Sequence, residues 1–214
     1  MMPKAQVLKE LVPVTARGEA TRRKLLSAAE EEFGGKGFHA ASVSSITTRA
    51  GVGQGTFYLY FHSKEEIFVT LVRDIGRKLR KQMIAATGEA ADRLEAERYS
   101  LQGFLEFTQK HPGLYRIVQE AQFVDEAVFR EYYERLAKGY SEGLSEAVRR
   151  GEIGPGDAEA RAWALMGIGH FLGMHWCLWQ GKLPERQVID DVMKMVSHGL
   201  ALPTEAGGRA SAAA

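Results

Sequence analysis

A short run of polar and aromatic residues near the N-terminus carries the side chains that proteins use to read double-stranded DNA. Gln54 can pair with an adenine edge, and Thr56 can offer a methyl group to thymine or a hydroxyl to a phosphate. The phenol hydroxyls of Tyr58 and Tyr60 are long enough to reach phosphates. Gly55 lowers helix stability by about 1 kcal/mol relative to alanine, and a close approach of the backbone to DNA would compensate for that loss.

Three flanking residues complete the predicted contact set. Ser42 and Ser44 lie at the start of the preceding predicted helix, where their hydroxyls can meet backbone phosphates. Lys64 lies in the first turn of the following helix, whose exposed N–H groups also favour an anion. The predicted DNA-contacting residues are therefore Ser42, Ser44, Gln54, Gly55, Thr56, Tyr58, Tyr60 and Lys64.

Two other interpretations of this segment imply different chemistry. Tyr58 and Tyr60 can instead be half-buried structural residues, and that alternative stays open. The glycines of residues 51–55 are spaced like those of a phosphate-cradling loop, but no strand-like segment precedes them, which argues against a nucleotide site.

Two short helices joined by a glycine turn must hold these side chains. Ser42 is a suitable N-cap for a first helix through Arg49, and glycines 51 and 53 form the turn. The second helix is predicted over about residues 54–60. This pair is a helix-turn-helix, the motif that places its second helix in the major groove of DNA.

The second helix must also be supported from inside the protein. Phe57, Leu59 and Phe61 are its predicted inward-facing residues. Ser63 and Glu66 have the spacing of a capping box, in which the serine caps the helix start and the glutamate reaches back. A long, rigid helix is therefore predicted to follow directly.

The rest of the chain also has helical periodicity, and no strand-like alternation occurs. The other predicted helices span about residues 18–33, 90–110, 112–123, 125–150, 157–181 and 184–201. The glycine-rich run 34–37 is predicted to end the first of them, and Pro112, Pro155 and Pro184 are placed at helix starts.

We therefore predict an all-α fold with a three-helix helix-turn-helix DNA-binding domain and a larger helical ligand-binding and dimerisation domain. The predicted divisions are a flexible N-terminal extension (1–17), the DNA-binding domain (18–64), the ligand-binding and dimerisation domain (65–202) and a disordered tail (203–214).

Charge and composition agree with this organisation. The chain has a net charge of +1, but residues 1–64 contain nine Lys/Arg against five Asp/Glu, so a basic N-terminal part precedes a mildly acidic remainder.

Cys177 is the one cysteine, so no internal disulfide forms, and no secretory signal is apparent. Residues 162–181 lack charged side chains but include His170 and His175, which favours a buried helix over a membrane span. A cytoplasmic protein without a cofactor, a metal ion or a membrane partner is predicted.

The ordered motif from the glycine turn to the long helix resembles the signature of the TetR family of transcription regulators. The matching residues are Thr21-Arg22-Arg23-Lys24, Ala28-Ala29, Phe33, Ala50-Gly51-Val52, Gly55-Thr56-Phe57-Tyr58-Leu59-Tyr60-Phe61 and Ser63-Lys64-Glu65. The resemblance implies a repressor that forms a homodimer through its last two helices and binds a palindromic operator as that dimer. It also implies that a small-molecule inducer binds among the middle helices.

The predicted inducer site lies in the C-terminal part, which is rich in aromatic residues. Its predicted ligand-binding residues are Arg116, Phe123, Tyr133, His170, Met174 and Trp176. The segments 111–125 and 167–171 resemble regulators of fatty-acid or acyl-CoA breakdown, which implies a CoA thioester as inducer. A cluster of basic residues on the long helix could bind the phosphates of CoA, or it could form a solvated helix face. The cluster consists of Arg73, Arg77, Lys78, Arg80 and Lys81. A drug-efflux regulator with a lipophilic inducer is the alternative.

The last two predicted helices have features of a subunit interface. Gly169 and Gly173 are four residues apart, which permits close helix packing. Val188, Val192, Val196 and Leu200 form one apolar stripe. These features fit a four-helix interface between two subunits, and packing within one subunit is the alternative.

Other classes of protein fit the sequence less well. An enzyme is not expected, since the sequence has no nucleophile elbow, no metal-binding cluster and no phosphate loop. A DNA-binding protein without a ligand stays open as an alternative, as does an activator, because no residue fixes the direction of regulation.

Overall fold

The computed structural model describes residues 15–200, with side chains described through His198. The predicted tail, 203–214, and most of the predicted N-terminal extension lie outside these residues. Residues 16 and 17 of that extension are already helical.

The regular structure of the described residues is entirely helical, which confirms the predicted all-α fold. The helices are α1 (Ala16–Lys36), α2 (Val43–Ala50), α3 (Gln54–Phe57), α4 (Lys64–Thr87), α5 (Arg93–Lys110), α6 (Pro112–Val124), α7 (Glu126–Arg149), α8 (Ala158–Leu172) and α9 (Arg186–Leu200). A π-helical segment, Gly173–Trp179, continues α8 directly. None of the described helices is both long enough and apolar enough to cross a membrane.

Two compact units make up the described part of the chain. The first extends to Arg77 and also includes His111–Tyr132, whereas the second consists of Lys78–Lys110 and the chain from Tyr133 onwards. Helix α6 therefore belongs to the unit that contains α1–α3, although 33 residues of the other unit precede it in sequence. The domain boundary predicted after Lys64 stays a prediction.

Aromatic rings and a close helix crossing form the interior of the first unit. Phe38 lies 5.7 Å from Phe33 and 5.0 Å from Phe68 between ring centroids. Helices α1 and α6 cross at Gly34 and Gly113, where a Cβ on Gly34 would come within 2.9 Å of the Gly113 Cα. Two glycines at one crossing allow the two backbones to touch.

The end of α1 differs from the prediction. The helix continues through the first two glycines to Lys36 and ends at Gly37, whose φ of 80° suits glycine and few other residues. The predicted stop in the glycine-rich run 34–37 is therefore confirmed at Gly37, whereas the predicted helix end at about residue 33 is too early, because Gly34 and Gly35 are helical.

Helix starts in the second unit rely on side-chain caps. Asp157 caps α8 by accepting hydrogen bonds from the N–H groups of Glu159 and Ala160 at 2.9 and 3.0 Å. Pro155 and Pro184 lie ahead of α8 and α9 rather than in their first turns, whereas Pro112 is the first residue of α6, as predicted.

Residues from several helices form the core of the second unit. Its most buried members include Leu105, Leu144, Ala147, Ile153, Ala162, Cys177 and Ile189. Gly169 and Gly173 contribute to this unit's own packing: a Cβ on either would lie 3.5 or 3.0 Å from the ring of Phe104 in α5. The two glycines thus serve packing within the subunit, which was the alternative at the sequence level.

Candidate functional site

Helix α2 is fixed at both ends by local backbone chemistry. The Ser42 hydroxyl accepts a hydrogen bond from the Ser45 N–H at 3.0 Å, and the Ser45 hydroxyl accepts one from the Ser42 N–H at 3.1 Å. At the other end Gly51 adopts a left-handed conformation (φ 68°) that turns the chain towards α3. Because Ser42 and Ser44 are both exposed, their side chains remain accessible beside this cap.

Helix α3 is a single turn that continues into further turns. It ends at Phe57 rather than near residue 60 as predicted, and i→i+3 hydrogen bonds at Leu59 and Tyr60 tighten the chain after it. Phe57 and Phe61 are fully buried with their ring centroids 5.7 Å apart. These two rings hold the segment from inside, as predicted.

The outer side of this segment presents the predicted DNA-reading residues. Gln54, Gly55 and Tyr58 are exposed, and Thr56 and Tyr60 are half-buried. Tyr58 is 53% exposed, which leaves its ring and hydroxyl available to a partner.

Leu59 does not belong to the core. It is 70% exposed, so its predicted inward orientation was wrong. Phe57 and Phe61 are four residues apart and share one face, which places the residue midway between them on the opposite face.

Lys64 is engaged in a contact that the sequence did not reveal. Its ammonium donates to the carbonyl oxygens of Phe38 and Ala41 at 2.8 and 2.9 Å, and it lies 4.2 Å from the centroid of the Phe38 ring. The side chain therefore closes the loop between α1 and α2. An ammonium has three donors, so its contact with DNA stays a prediction.

The start of α4 only partly matches the predicted capping box. The Ser63 hydroxyl accepts a hydrogen bond from the Glu66 N–H at 3.2 Å, as expected. The Glu66 carboxylate, however, accepts from the N–H of His62. It reaches one residue further back than the standard motif requires.

A buried carboxylate joins α1 to α2 beside the candidate interface. The Glu32 side chain is 2% exposed and accepts hydrogen bonds from Lys36 at 2.8 Å and Arg49 at 2.7 Å. These two cations, with Lys36 contributing most, lower the pKa of Glu32 to about 2. The carboxylate is therefore ionised at neutral pH and fixes the orientation of α2 relative to α1.

Two of the predicted ligand-binding residues are in contact in the second unit. The Tyr133 hydroxyl lies 3.4 Å from Nδ1 of His170, and the Tyr133 ring stacks on Trp163 at a centroid distance of 6.5 Å. Burial raises the pKa of Tyr133 to about 12 and lowers the pKa of His170. Both groups are therefore uncharged at neutral pH.

The other predicted ligand-binding residues have different surroundings. Met174 and Trp176 are half-buried in the π-helical segment, where the Trp176 ring packs edge-on against His175 at 4.4 Å. Arg116 and Phe123 lie on α6 in the first unit, and Phe123 is 80% exposed. The role of all six residues in ligand binding stays a prediction.

Two of the basic residues that could bind CoA phosphates, or form a solvated helix face, have partners within the protein. Arg73 forms an ion pair with Glu131 at 2.9 Å, and Arg77 pairs with Asp74. Both contacts lie in the first unit. They agree with the solvated-face alternative for these two residues.

Comparison with known proteins identifies the first unit most clearly. The sequence model of the bacterial regulatory proteins of the tetR family matches residues 25–71. The Bacillus subtilis regulator YdgC is 48% identical over 66 residues, which is 31% of this chain and 34% of YdgC. The transcriptional activator FasR of Mycolicibacterium smegmatis is 30% identical over 105 residues, which is 49% of this chain and 48% of FasR. The chain thus matches about a third and about half of the lengths of these two relatives.

Solved structures share the fold over most of the chain. The fatty acid degradation regulator FadR of Bacillus halodurans superposes with a TM-score of 0.73 at 21% identity, over 82% of this chain and 94% of its own. A tetR-family regulatory protein of Rhodococcus RHA1 gives a TM-score of 0.69 at 15% identity, over 86% of this chain and 98% of its own. Residues 25–71, which include the exposed and braced α3 segment, thus match the model of the tetR family of bacterial regulatory proteins, and the all-helical fold is shared with solved structures over most of the chain.

Proposed function

We propose that the chain is a homodimeric, ligand-responsive repressor that binds a near-palindromic operator and is released from it by a small-molecule inducer. The observation that carries this proposal is the α3 segment. Gln54 and Tyr58 face solvent while Phe57 and Phe61 brace the segment from inside. A rigid support with polar groups on its outer side suits insertion into a major groove. The protein would act in the cytoplasm, where its operator is accessible.

Dimerisation is supported by an exposed apolar surface on the last helices of the second unit. Trp163 is 43% exposed, Phe171 64% and Trp179 69%, and Met195 on α9 is 60% exposed. Several large apolar side chains exposed on one unit favour an interaction site there. A two-fold pair of such surfaces would place two recognition segments on one operator.

The proposal also includes a chemical class for the inducer. A CoA thioester is the first candidate, because the similar FadR of Bacillus halodurans is a regulator of fatty acid degradation. A lipophilic inducer, as for a drug-efflux regulator, is the alternative. A ligand-independent DNA-binding protein is a further alternative, and it would respond to neither class.

One observation favours a second direction of regulation. FasR, which is 30% identical over 105 residues, is a transcriptional activator. Activation therefore stands beside repression as a candidate, and a reporter gene downstream of the selected operator distinguishes them by the sign of its response.

Selection of binding sites from a random pool of duplex DNA tests the proposal. We expect a near-palindrome with half-sites separated by one helical turn or a multiple of it. The selected site should bind at least about a thousandfold more tightly than random DNA. A purified protein that enriches no two-fold sequence would contradict the proposal.

A thermal-shift series then addresses the inducer. It compares an acyl-CoA, the corresponding free acid and a lipophilic cation, each followed by an operator-binding measurement. A ligand present at a hundred times its dissociation constant stabilises the protein by about 2.7 kcal/mol, which such an assay detects easily. Stabilisation without loss of operator affinity would contradict ligand-released repression.

A further inference from the structure

The α3 segment exposes a purely apolar side chain among its polar ones. Leu59 follows α3 closely and is 70% exposed, more than its neighbour Tyr58 at 53%. A single exposed leucine is common on protein surfaces and by itself implies nothing. Leu59, however, lies in the match to the tetR family model and beside the residues predicted to read DNA. Its position therefore raises the question of which apolar group could cover it.

The backbone determines which way Leu59 faces. Its N–H donates to the Thr56 carbonyl oxygen at 3.2 Å, an i→i+3 bond of the 3₁₀ type. In such a turn, side chains three residues apart lie one above the other. Leu59 therefore lies on the same side of the segment as Thr56 and away from the buried rings of Phe57 and Phe61.

Gly55 leaves the approach to Leu59 open. It lies four residues before Leu59, and a side chain in a helical turn leans over the residues that precede it. A Cβ on Gly55 would meet no atom of the described residues within 4 Å. A partner that approaches along Gly55 can therefore reach the methyl groups of Leu59.

The major groove of DNA offers a matching apolar group. Thymine presents a methyl group there, whereas the edges of the other three bases are marked by hydrogen-bond donors and acceptors. A leucine cannot bond to a donor or an acceptor, so a polar edge that it covers would lose water without a replacement. Contact with a thymine methyl group instead removes apolar surface from water on both sides.

We propose that Leu59 is a specificity-determining residue that reads a thymine methyl group in each half-site of the operator. This inference rests on the proposed function, because it requires the α3 segment to enter a major groove. It adds an apolar contact to the hydrogen-bonding groups of Gln54 and Tyr58. The methyl group of Thr56 is the competing candidate for the same contact, and the experiment separates the two.

The experiment removes the methyl group from the DNA. Deoxyuridine replaces each thymidine of the selected operator in turn, at equivalent positions of both half-sites, and keeps every hydrogen-bonding atom of the base. The affinity of the native full chain is measured for each duplex. We expect one position at which the loss weakens binding about fourfold per half-site, which corresponds to about 0.8 kcal/mol for one apolar carbon group.

Two variants complete a double-mutant cycle with these duplexes. Leu59→Ala removes the proposed contact, and we expect it to bind the thymine and uracil duplexes with equal affinity. Thr56→Ser removes the threonine methyl group and retains the hydroxyl, and it should keep the preference of about fourfold per half-site for thymine.

A matched control tests whether the loss of an exposed apolar side chain has a general effect. Ile84 on α4 is 72% exposed, so Ile84→Ala removes a similar surface outside the α3 segment, and the thymine preference should stay unchanged. Because Leu59 is mostly exposed, Leu59→Ala should also keep the native melting temperature and the native affinity for random DNA.

Three outcomes would overturn the proposal: no thymine position sensitive to the methyl group, a sensitivity that persists in Leu59→Ala, or a sensitivity that Thr56→Ser abolishes. Each of them leaves the proposed function intact, because an operator has been selected and bound. A protein that selects no operator would overturn the proposed function together with this inference, so the two failures are distinguishable.

Discussion

Neighbouring residues of the α3 segment are predicted to have different roles. Gln54 is exposed and is predicted to pair with adenine through its amide, whereas the half-exposed Tyr58 has a single hydroxyl suited to phosphates. Phe57 and Phe61, one turn apart, are buried and keep both groups in place. Sequence specificity and general affinity should therefore respond to different substitutions.

Gln54→Ala is expected to relax sequence preference at one base pair of each half-site. The loss of a bidentate base contact should cost about 1–3 kcal/mol on the selected operator and little on an operator changed at that base pair. Fluorescence anisotropy with both duplexes measures the difference. An equal loss on both would contradict the assignment of Gln54 as a base reader.

Tyr58→Phe is expected to weaken binding to all sequences alike. Removal of one hydroxyl that bonds a phosphate should cost about 0.5–1.5 kcal/mol on operator and random DNA. Because the ring remains, the packing at 5.4 Å between the centroids of Tyr58 and Phe57 is retained. Unchanged binding to both duplexes would indicate that the tyrosine has only a structural role.

At the level of helices, α1 has two different attachments. The Glu32 carboxylate fixes it to α2, and the crossing of Gly34 with Gly113 fixes it to α6. The first attachment is electrostatic and depends on pH, whereas the second is steric and does not. Their contributions to stability can therefore be separated by experiment.

Glu32→Gln is expected to lower the free energy of unfolding at pH 7 by about 1.5–3 kcal/mol, the contribution of a charge-assisted hydrogen bond. The pKa of Glu32 falls from 4.5 in the unfolded chain to about 2 in the fold. Its contribution is therefore complete above pH 4.5 and disappears as the pH falls towards 2. Urea denaturation at several pH values should show the variant and the native protein converging in acid.

Gly34→Ala is expected to destabilise the first unit even though alanine favours helix. Its Cβ would come within 2.9 Å of the Gly113 backbone, so α1 and α6 must move apart, at a cost of about 1–3 kcal/mol. Gly35→Ala is the matched control, because its Cβ meets no atom within 4 Å. The control should gain about 0.5–1 kcal/mol from helix propensity. Equal denaturation midpoints for the two variants would argue against a tight crossing.

Local signals in the sequence predicted most helices but not their long-range contacts. The Ser42 cap, the Gly51 turn and Pro112 at the start of α6 all act within a few residues. The end of α1 was misplaced because Gly34 packs on a residue 79 positions away, and the sequence alone does not pair them. The role of Lys64 in holding the loop at Phe38 was missed for the same reason.

For the molecule as a whole, α8 and the π-helical segment expose large apolar side chains that no contact within the described residues explains. Cys177 and Gly173 of this region face the core, while Phe171 and Trp179 are mostly exposed. The sequence indicated an interface here, but it assigned Gly169 and Gly173 to it rather than these aromatic residues. Glycine spacing shows only that something packs closely, not which partner does so.

Phe171→Asp is expected to weaken the proposed homodimer by about 2 kcal/mol or more, the effect of losing a central aromatic contact. Operator affinity should fall with it, because a monomer binds one half-site without the gain from a second linked site. Phe123→Asp is the control, since Phe123 is also highly exposed, at 80%, but lies on α6. Sedimentation equilibrium measures the dimer dissociation constant of both variants. A dimer unaffected by Phe171→Asp would place the interface elsewhere.

The contact between Glu120 and the chain that follows α1 has a practical consequence. A carboxylate oxygen of Glu120 in α6 accepts a hydrogen bond from the Phe38 N–H at 2.8 Å, just before the loop that leads into α2. That single amide proton is protected from solvent only while α6 is docked on α1. The hydrogen–deuterium exchange rate of this amide therefore reports how often the two helices separate, and it can be measured in solution without a label or bound DNA.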